Sequence, residues 1–440
     1  MKRTLIRNAQ VVQGDGVSVC DVLLEGQWIK SIGHLNNIEA EEIYDASGLI
    51  LMPGVIDAQV HFRDPGLTRK GDLISESKAA VVGGVTTIID MPNTLPNTTS
   101  LSILKDKYQR AENRAYCNYG FLLGLTKDNW REWSEEDLDG VLALTDDGLY
   151  FTGPGNLLCQ FPLELSEIFR RFPNKIVALH CEDEKMIEES IAQYIQEHGR
   201  EIDFSHHHWI RSAEACFTAS KRCVEIARNT GGRLHVFHLT SGMETVLFEA
   251  NPDVTTKRIT TEVCVQNLLF CDADYERLGA KIKWNPSIKT AEDRAELWQA
   301  LLDDRIDLIT TDHAPHVWEE KQKPYLQCMS GAPMIQHGLQ VMLDFVSQGK
   351  LSLPKLVQKM CHNPALLLGI EKRGFIREGY YADLVLVDME KRTVVNKERL
   401  MYKCGWSPLE GMVFQGQIKR TWVNGVSFDN DCRPMGTAIK

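Results

Sequence analysis

Val55-Ile56-Asp57-Ala58-Gln59-Val60-His61-Phe62-Arg63-Asp64-Pro65-Gly66 leaves a Pro53-Gly54 turn signal as a β-branched pair and ends in groups able to bind a metal or an anion. A strand that delivers side chains to a site from its C-terminal end reads this way. Period-two alternation predicts Asp57, Gln59 and His61 on one face, with Arg63 continuing it. The planar guanidinium of Arg63 can pair a carboxylate through two parallel hydrogen bonds.

Further strand-like runs follow at Val85 to Asp90, Tyr119 to Leu123, Gly140 to Thr145, Lys175 to His180, Leu234 to His238, Arg258 to Val263 and Ile306 to Thr311, which makes eight with Val55 to Gln59. Helical patterns such as Asp72 to Val82 and Thr290 to Leu302 lie between them. The alternation predicts an α/β fold, a (β/α)8 TIM barrel, with a doubly wound sheet as the competing architecture. The polar residues favour the barrel. His61, Asn93, Asp146-Asp147, His180, His238, Asn285 and Asp312 fall at or just past strand C-terminal ends, where barrel active sites are assembled.

The flanks read differently. Residues 4 to 52 are short strands separated by turn signals at Gly-Asp-Gly (14 to 16), Glu25-Gly26 and Ser47-Gly48, and the other end carries the apolar strand Ala382 to Asp388 and a hairpin signal at Asn424-Gly425. One small β-sandwich module built from both chain termini is expected, giving residues 1–53 and 366–440 to the module and 54–365 to the barrel.

With 440 residues the chain can bury a sizeable core, and 43% hydrophobic against 25% charged residues is ordinary for a globular protein. A formal net charge of −11 without a compensating basic cluster argues against a nucleic-acid partner. No run approaches the roughly 18 apolar residues of a membrane span, and Met1-Lys2-Arg3-Thr4 leads into a strand with no signal-type apolar core, so no membrane partner and a cytoplasmic location are expected. Twelve cysteines without a Cys-x-x-Cys pair read as thiols in a reducing compartment, and a zinc ribbon is not expected.

Two histidines end apolar strands: His180, in His180-Cys181-Glu182-Asp183, and His238, in Leu234-His235-Val236-Phe237-His238. Alternation sets His235 and His238 on opposite sides, with His238 the candidate ligand and His235 structural; Cys181 reads as a small apolar filler. Thr311-Asp312-His313-Ala314-Pro315-His316 closes the eighth strand. An aspartate there can bind a metal and also accept a proton from water, since an ionised carboxylate offers several lone pairs.

Met91-Pro92-Asn93-Thr94, Asp-x-Gln-x-His-x-Arg-Asp-Pro-Gly (57 to 66), His180-Cys-Glu-Asp, His238-Leu-Thr-Ser, Asp312-His-Ala-Pro-His316 and the ending Asn363-Pro364-Ala365 to Ala382-Asp383-Leu384-Val385 together resemble the dihydroorotases of the amidohydrolase superfamily. The resemblance spans essentially the whole chain. It implies zinc, with His61, His180, His238 and Asp312 among the ligands and Asp312 as general acid and base. It also implies Arg63 and Asn93 on the substrate's free carboxylate, and Asn285 and His316 on its ring. The implied reaction is reversible closure of N-carbamoyl-L-aspartate to dihydroorotate, in pyrimidine synthesis. A homodimer is the implied state, with aspartate carbamoyltransferase a possible partner.

The chain departs from that family at three places. Gln59 stands where a histidine is usual, and an amide oxygen is a weaker donor to zinc than imidazole. The family's bridging lysine is missing; counting back from Gly155-Asn156-Leu157 puts Asp147 in its place, with Asp146 the alternative ligand. Gln266-Asn267 replaces a histidine pair. One firmly bound zinc is therefore expected, with the Gln59 side weak or empty and a second ion open. Alternative readings are a hydantoinase or allantoinase, and a metal-free structural partner. The run Val317 to Ser330 is where a lid over the substrate is expected.

Overall fold

The computed structural model describes residues 1–440 apart from 15, 150–156, 430, 431 and 440. Gly155 and Asn156, used above to locate Asp147, lie outside the described residues, as does the centre of the 14 to 16 turn.

The strand that opens the barrel, Val55–Val60, pairs parallel with Val85–Asp90, which pairs with Asn118–Phe121. The chain then continues through Leu123–Gly124, Leu144–Thr145, Ile176–Leu179, Arg233–Leu239, Ile259–Cys264 and Leu308–Thr310, each parallel to the next. The ring closes where Val60 bridges His313 and the His61 amide donates to His313 O at 2.8 Å. The protein is a (β/α)8 barrel. Its floor is filled by Ile56, Ala58, Ile89, Leu122, Ala143, Ile176, Ala178 and Phe237, with Leu367 packed among them.

The expected strand Gly140 to Thr145 shrinks to Leu144–Thr145. Gly140 sits at φ +77° and the Val141 amide returns to Leu138 O at 3.0 Å, so its first residues form a turn. The helices begin one residue later than the pattern suggests because their first polar residue is the cap. Asp72 and Thr290 each form a capping box, with Ser75 and Asp293, ahead of Leu73–Val82 and Ala291–Leu302.

Strands from both ends form one mixed sheet, in which Ile50–Pro53 lies between Arg3–Gln13 and Leu384–Val394. Asn424 and Gly425, at φ +50° and +75°, close the hairpin from Val413–Val423 to Val426–Ser427, as their sequence predicts. Ile6, Val11, Val22, Leu24, Leu51, Leu384 and Trp422 form this sheet's own buried cluster. Among the described residues, no helix is long and apolar enough to cross a membrane.

Candidate metal centre and active site

Strand ends bring His61, Asp147, His180 and His238 together at the barrel mouth. Asp147 is the hub: its Oδ1 lies 3.5 Å from His180 Nδ1 and 3.8 Å from His238 Nε2, and its Oδ2 3.4 Å from His61 Nε2. Burial would raise its carboxyl, but the adjacent His180 and His238 rings and the His61 charge hold it well below the ordinary range. Asp146 is committed elsewhere. Its two oxygens accept from the His180 amide at 3.0 Å and the Leu158 amide at 2.7 Å.

One ligand atom each from Asp147, His180 and His238 lie within 4.8 Å of one another, all three side chains buried. Neither ring nitrogen of His238 has a hydrogen-bond partner, an unfavourable state for a buried imidazole unless a further group completes it. Two imidazoles and a carboxylate suit zinc. These residues fit a metal ion.

Two alternation expectations fail here. The pairing of Val55–Val60 slips between Asp57 and Val60, which separates Asp57 from Gln59 and His61. Asp57 turns to Thr311, accepting from its amide and hydroxyl, and burial pushes its carboxyl up to about 7 despite those bonds. Similarly, His238 adopts φ +38° where the register of Arg233–Leu239 is broken. That break turns His238 toward Asp147 on the barrel interior, the side His235 also faces: His235 lies against the floor beside Ala58, Ala178 and Phe237 and bonds Thr260 Oγ1 at 2.9 Å and Glu262 Oε2 at 3.1 Å.

Gln59 directs its amide nitrogen to Asp147 Oδ2 at 3.3 Å, and its oxygen faces the Cys264 thiol at 3.8 Å. His61 is held between partners. Its Nδ1 lies 2.8 Å from Asn93 Oδ1, and its Nε2 3.1 Å from Asp312 Oδ1. Burial lowers the His61 pKa, but the bond to Asp312 and the Asp147 charge outweigh it and leave it raised. Gly148, at φ +72°, is required beside Asn93, because a Cβ there would fall 2.3 Å from Asn93 Nδ2.

The adjoining cavity, about 270 Å³, is lined by His61, Arg63, Lys70, Asn93, Asp147, Trp284, Asn285, Asp312 and His316. That is room for one small ring. Arg63 reaches Pro315 O at 3.3 Å and His316 Nε2 at 3.2 Å, so the cation and the imidazole converge on one wall. Burial together with the Arg63 and Lys70 charges keeps His316 well below its ordinary value, and hence neutral. Asn285 Oδ1 is buried without a partner. Asn267 donates to Thr240 Oγ1 at 2.7 Å, which donates to Ser287 O at 2.7 Å, so one member of the altered pair supports the wall carrying Asn285.

Sequence reading passed over Lys70, a lysine in a turn-rich loop with nothing local to mark it. It stands 3.0 Å from His316 Nδ1 and 3.0 Å from Glu320. Burial would raise the Glu320 carboxyl, but His316 and Lys70 draw it down to about 2. Because that is below the free value of 4.5, the cluster stabilises the fold fully above pH 4.5 and loses the contribution as the pH falls toward 2. Glu320→Gln is therefore expected to narrow its stability gap to the native protein between pH 5 and pH 2.5 in urea titrations. A gap of constant size would refute this.

The expected lid supplies part of the wall through Met329 and Ser330, with Gly331 just after it, and it is pinned by two lysines. Lys321 Nζ donates to Met329 O at 2.8 Å and Gly331 O at 2.9 Å, and Lys283 Nζ to Tyr325 O at 2.9 Å and Cys328 O at 2.5 Å. Burial pulls these ammonium groups down to about 7 and about 8. These buried donors tie the segment's backbone carbonyls to the wall. Lys321→Met is expected to raise KM about tenfold, the equivalent of ~1.4 kcal/mol, with metal content unchanged; an unchanged KM would show that the pin does not shape the wall.

The amidohydrolase family model matches residues 50–427. A dihydroorotase from Bacillus pumilus is 31% identical over 96% of this chain and 97% of its own, and one from Methanosphaera stadtmanae is 28% identical over 98% of both. Among solved structures, the L-hydantoinase (dihydropyrimidinase) from Arthrobacter aurescens superposes with a TM-score of 0.92 at 27% identity over 100% of both chains.

Proposed function

The chain belongs to the amidohydrolase family, on its dihydroorotase branch, and is a cyclic-amide hydrolase; from that premise we propose that it interconverts N-carbamoyl-L-aspartate and dihydroorotate as a step of pyrimidine synthesis, with one zinc ion. The observation that carries the proposal is the convergence of Arg63 and His316 in the cavity that also holds Asp147 and Asp312. A ring substrate with a free carboxylate meets a cation and a neutral imidazole on one wall and the candidate metal centre on the other.

Asp147, His180 and His238 would hold the ion. Bound zinc supplies a water whose pKa falls toward ~7 and a positive charge against the amide carbonyl. In ring opening, Asp312 takes the proton from the attacking water and returns it to the ring nitrogen as the carbon–nitrogen bond breaks. In closure, the ureido nitrogen attacks the carbon of the protonated side-chain carboxyl, Asp312 takes the nitrogen's proton and passes it to the departing hydroxyl, and water leaves. His61, 3.1 Å away, holds Asp312 in place. Asn93, its oxygen engaged by His61, keeps its amide hydrogens for the carboxylate beside Arg63. The twelve unpaired cysteines accord with a cytoplasmic location.

Hydantoinase activity is the second reading, favoured by the likeness to the L-hydantoinase structure. Turnover of dihydroorotate and of an unsubstituted hydantoin by the zinc-loaded protein separates the two. The proposal expects dihydroorotate to be the better substrate by at least ~100-fold, since a carboxylate-free ring leaves Arg63 without its partner. Faster hydantoin hydrolysis would overturn it.

A further inference from the structure

Glu182 is fully buried and takes no part in lining the cavity. Its Oε2 lies 2.7 Å from His180 Nε2. Arg211 grips the same carboxylate, with Nε 2.9 Å from Oε1 and 3.1 Å from Oε2, and a terminal nitrogen 2.5 Å from Oε2. An ionised carboxylate can only accept. When His180 is neutral, its hydrogen therefore stays on Nε2, and the lone pair on Nδ1 is left facing Asp147.

We propose that Glu182 and Arg211 form a positioning pair: Glu182 fixes the tautomer and ring orientation in which His180 meets the metal, and Arg211 ties that ligand to the substrate wall. The second half follows from the backbone of Arg211. Its carbonyl accepts from Ser287 Oγ at 2.8 Å, and its amide donates to His207 O at 3.0 Å. The His207 ring in turn sits between Trp284 O at 2.6 Å and the Tyr325 hydroxyl at 2.7 Å. His207 Nε2–H donates to the carbonyl, and Nδ1 accepts from the hydroxyl. One short segment thus braces both His180 and the Trp284–Ser287 wall, so an error in Glu182 is felt at the metal and one in Arg211 at metal and substrate alike.

The inference rests on Asp147, His180 and His238 being the metal centre, and its test reads metal binding as well as turnover. Zinc affinity of the full-length protein would be measured by competition with a chromophoric chelator, for the native protein, Glu182→Gln and Arg211→Lys. Because Glu182→Gln strands a half-buried guanidinium, the neutral double variant Glu182→Gln/Arg211→Gln is included. Both proteins that carry Glu182→Gln are expected to lose zinc affinity by ~10- to 100-fold at unchanged stoichiometry. Arg211→Lys, which keeps the charge and loses the fork, should lose less affinity but show a raised KM. Folded variants that bind zinc within about threefold of the native protein would overturn the pair. Native protein that takes up no zinc would refute the metal-centre reading, and the pair with it.

Discussion

Asp312→Asn is expected to lower dihydroorotate hydrolysis by roughly 10²- to 10⁴-fold, the range associated with loss of a general acid–base group, while zinc stays bound. Asp312 lies two residues past the eighth strand at φ +42° and presents Oδ1 to His61 Nε2 at 3.1 Å. A carboxamide of the same shape can still bond His61, but it cannot take a proton from water or pass one to a leaving nitrogen. Metal retention is expected because the cluster able to hold an ion consists of Asp147, His180 and His238. Turnover and zinc content measured on the same preparation decide the matter. If zinc is lost along with activity, Asp312 is itself a principal ligand, as its position after the strand suggests from sequence.

The second large effect concerns Asp147. Asp147→Asn is expected to weaken zinc binding by at least ~100-fold and to abolish turnover with it. The substitution removes the anion that lies within 4 Å of His61, His180 and His238 alike, and a neutral amide is a poor zinc ligand. Gln59→His provides the contrast. Gln59 now donates to Asp147 Oδ2; an imidazole beside His61 would restore a donor for a second ion, so zinc content should rise from one equivalent to two. Two equivalents in the extensively dialysed native protein would overturn the single-ion proposal. One equivalent in Gln59→His would show that Asp147 cannot serve both ions.

The motifs that named the site were legible because barrel chemistry sits at strand ends, where sequence spacing and spatial position coincide. His61, His180 and Asp312 could be read that way. Alternation failed at Asp57 and at His238, and for one reason: a register slip in one strand and a positive φ in the other break the period on which facing arguments depend. Lys70, Glu182 and Arg211 had no comparable signal. Their partners His316, His180 and Glu182 are 246, 2 and 29 positions away, and neither the widest spacing nor the narrowest marks a contact.

By itself, the sequence determined the fold class, the strand order, the terminal β module and the family chemistry. All of these follow from local pattern: β-branched runs, caps, turn residues and motifs a few residues long. Only the tertiary structure decided which of two adjacent aspartates faces the histidines, which way Gln59 turns its amide, and that the expected lid is pinned by Lys283 and Lys321. Each of those outcomes depends on groups that become neighbours only when the barrel closes. A buried carboxylate or ammonium is then held by whichever donors and acceptors the closed ring brings within hydrogen-bond reach.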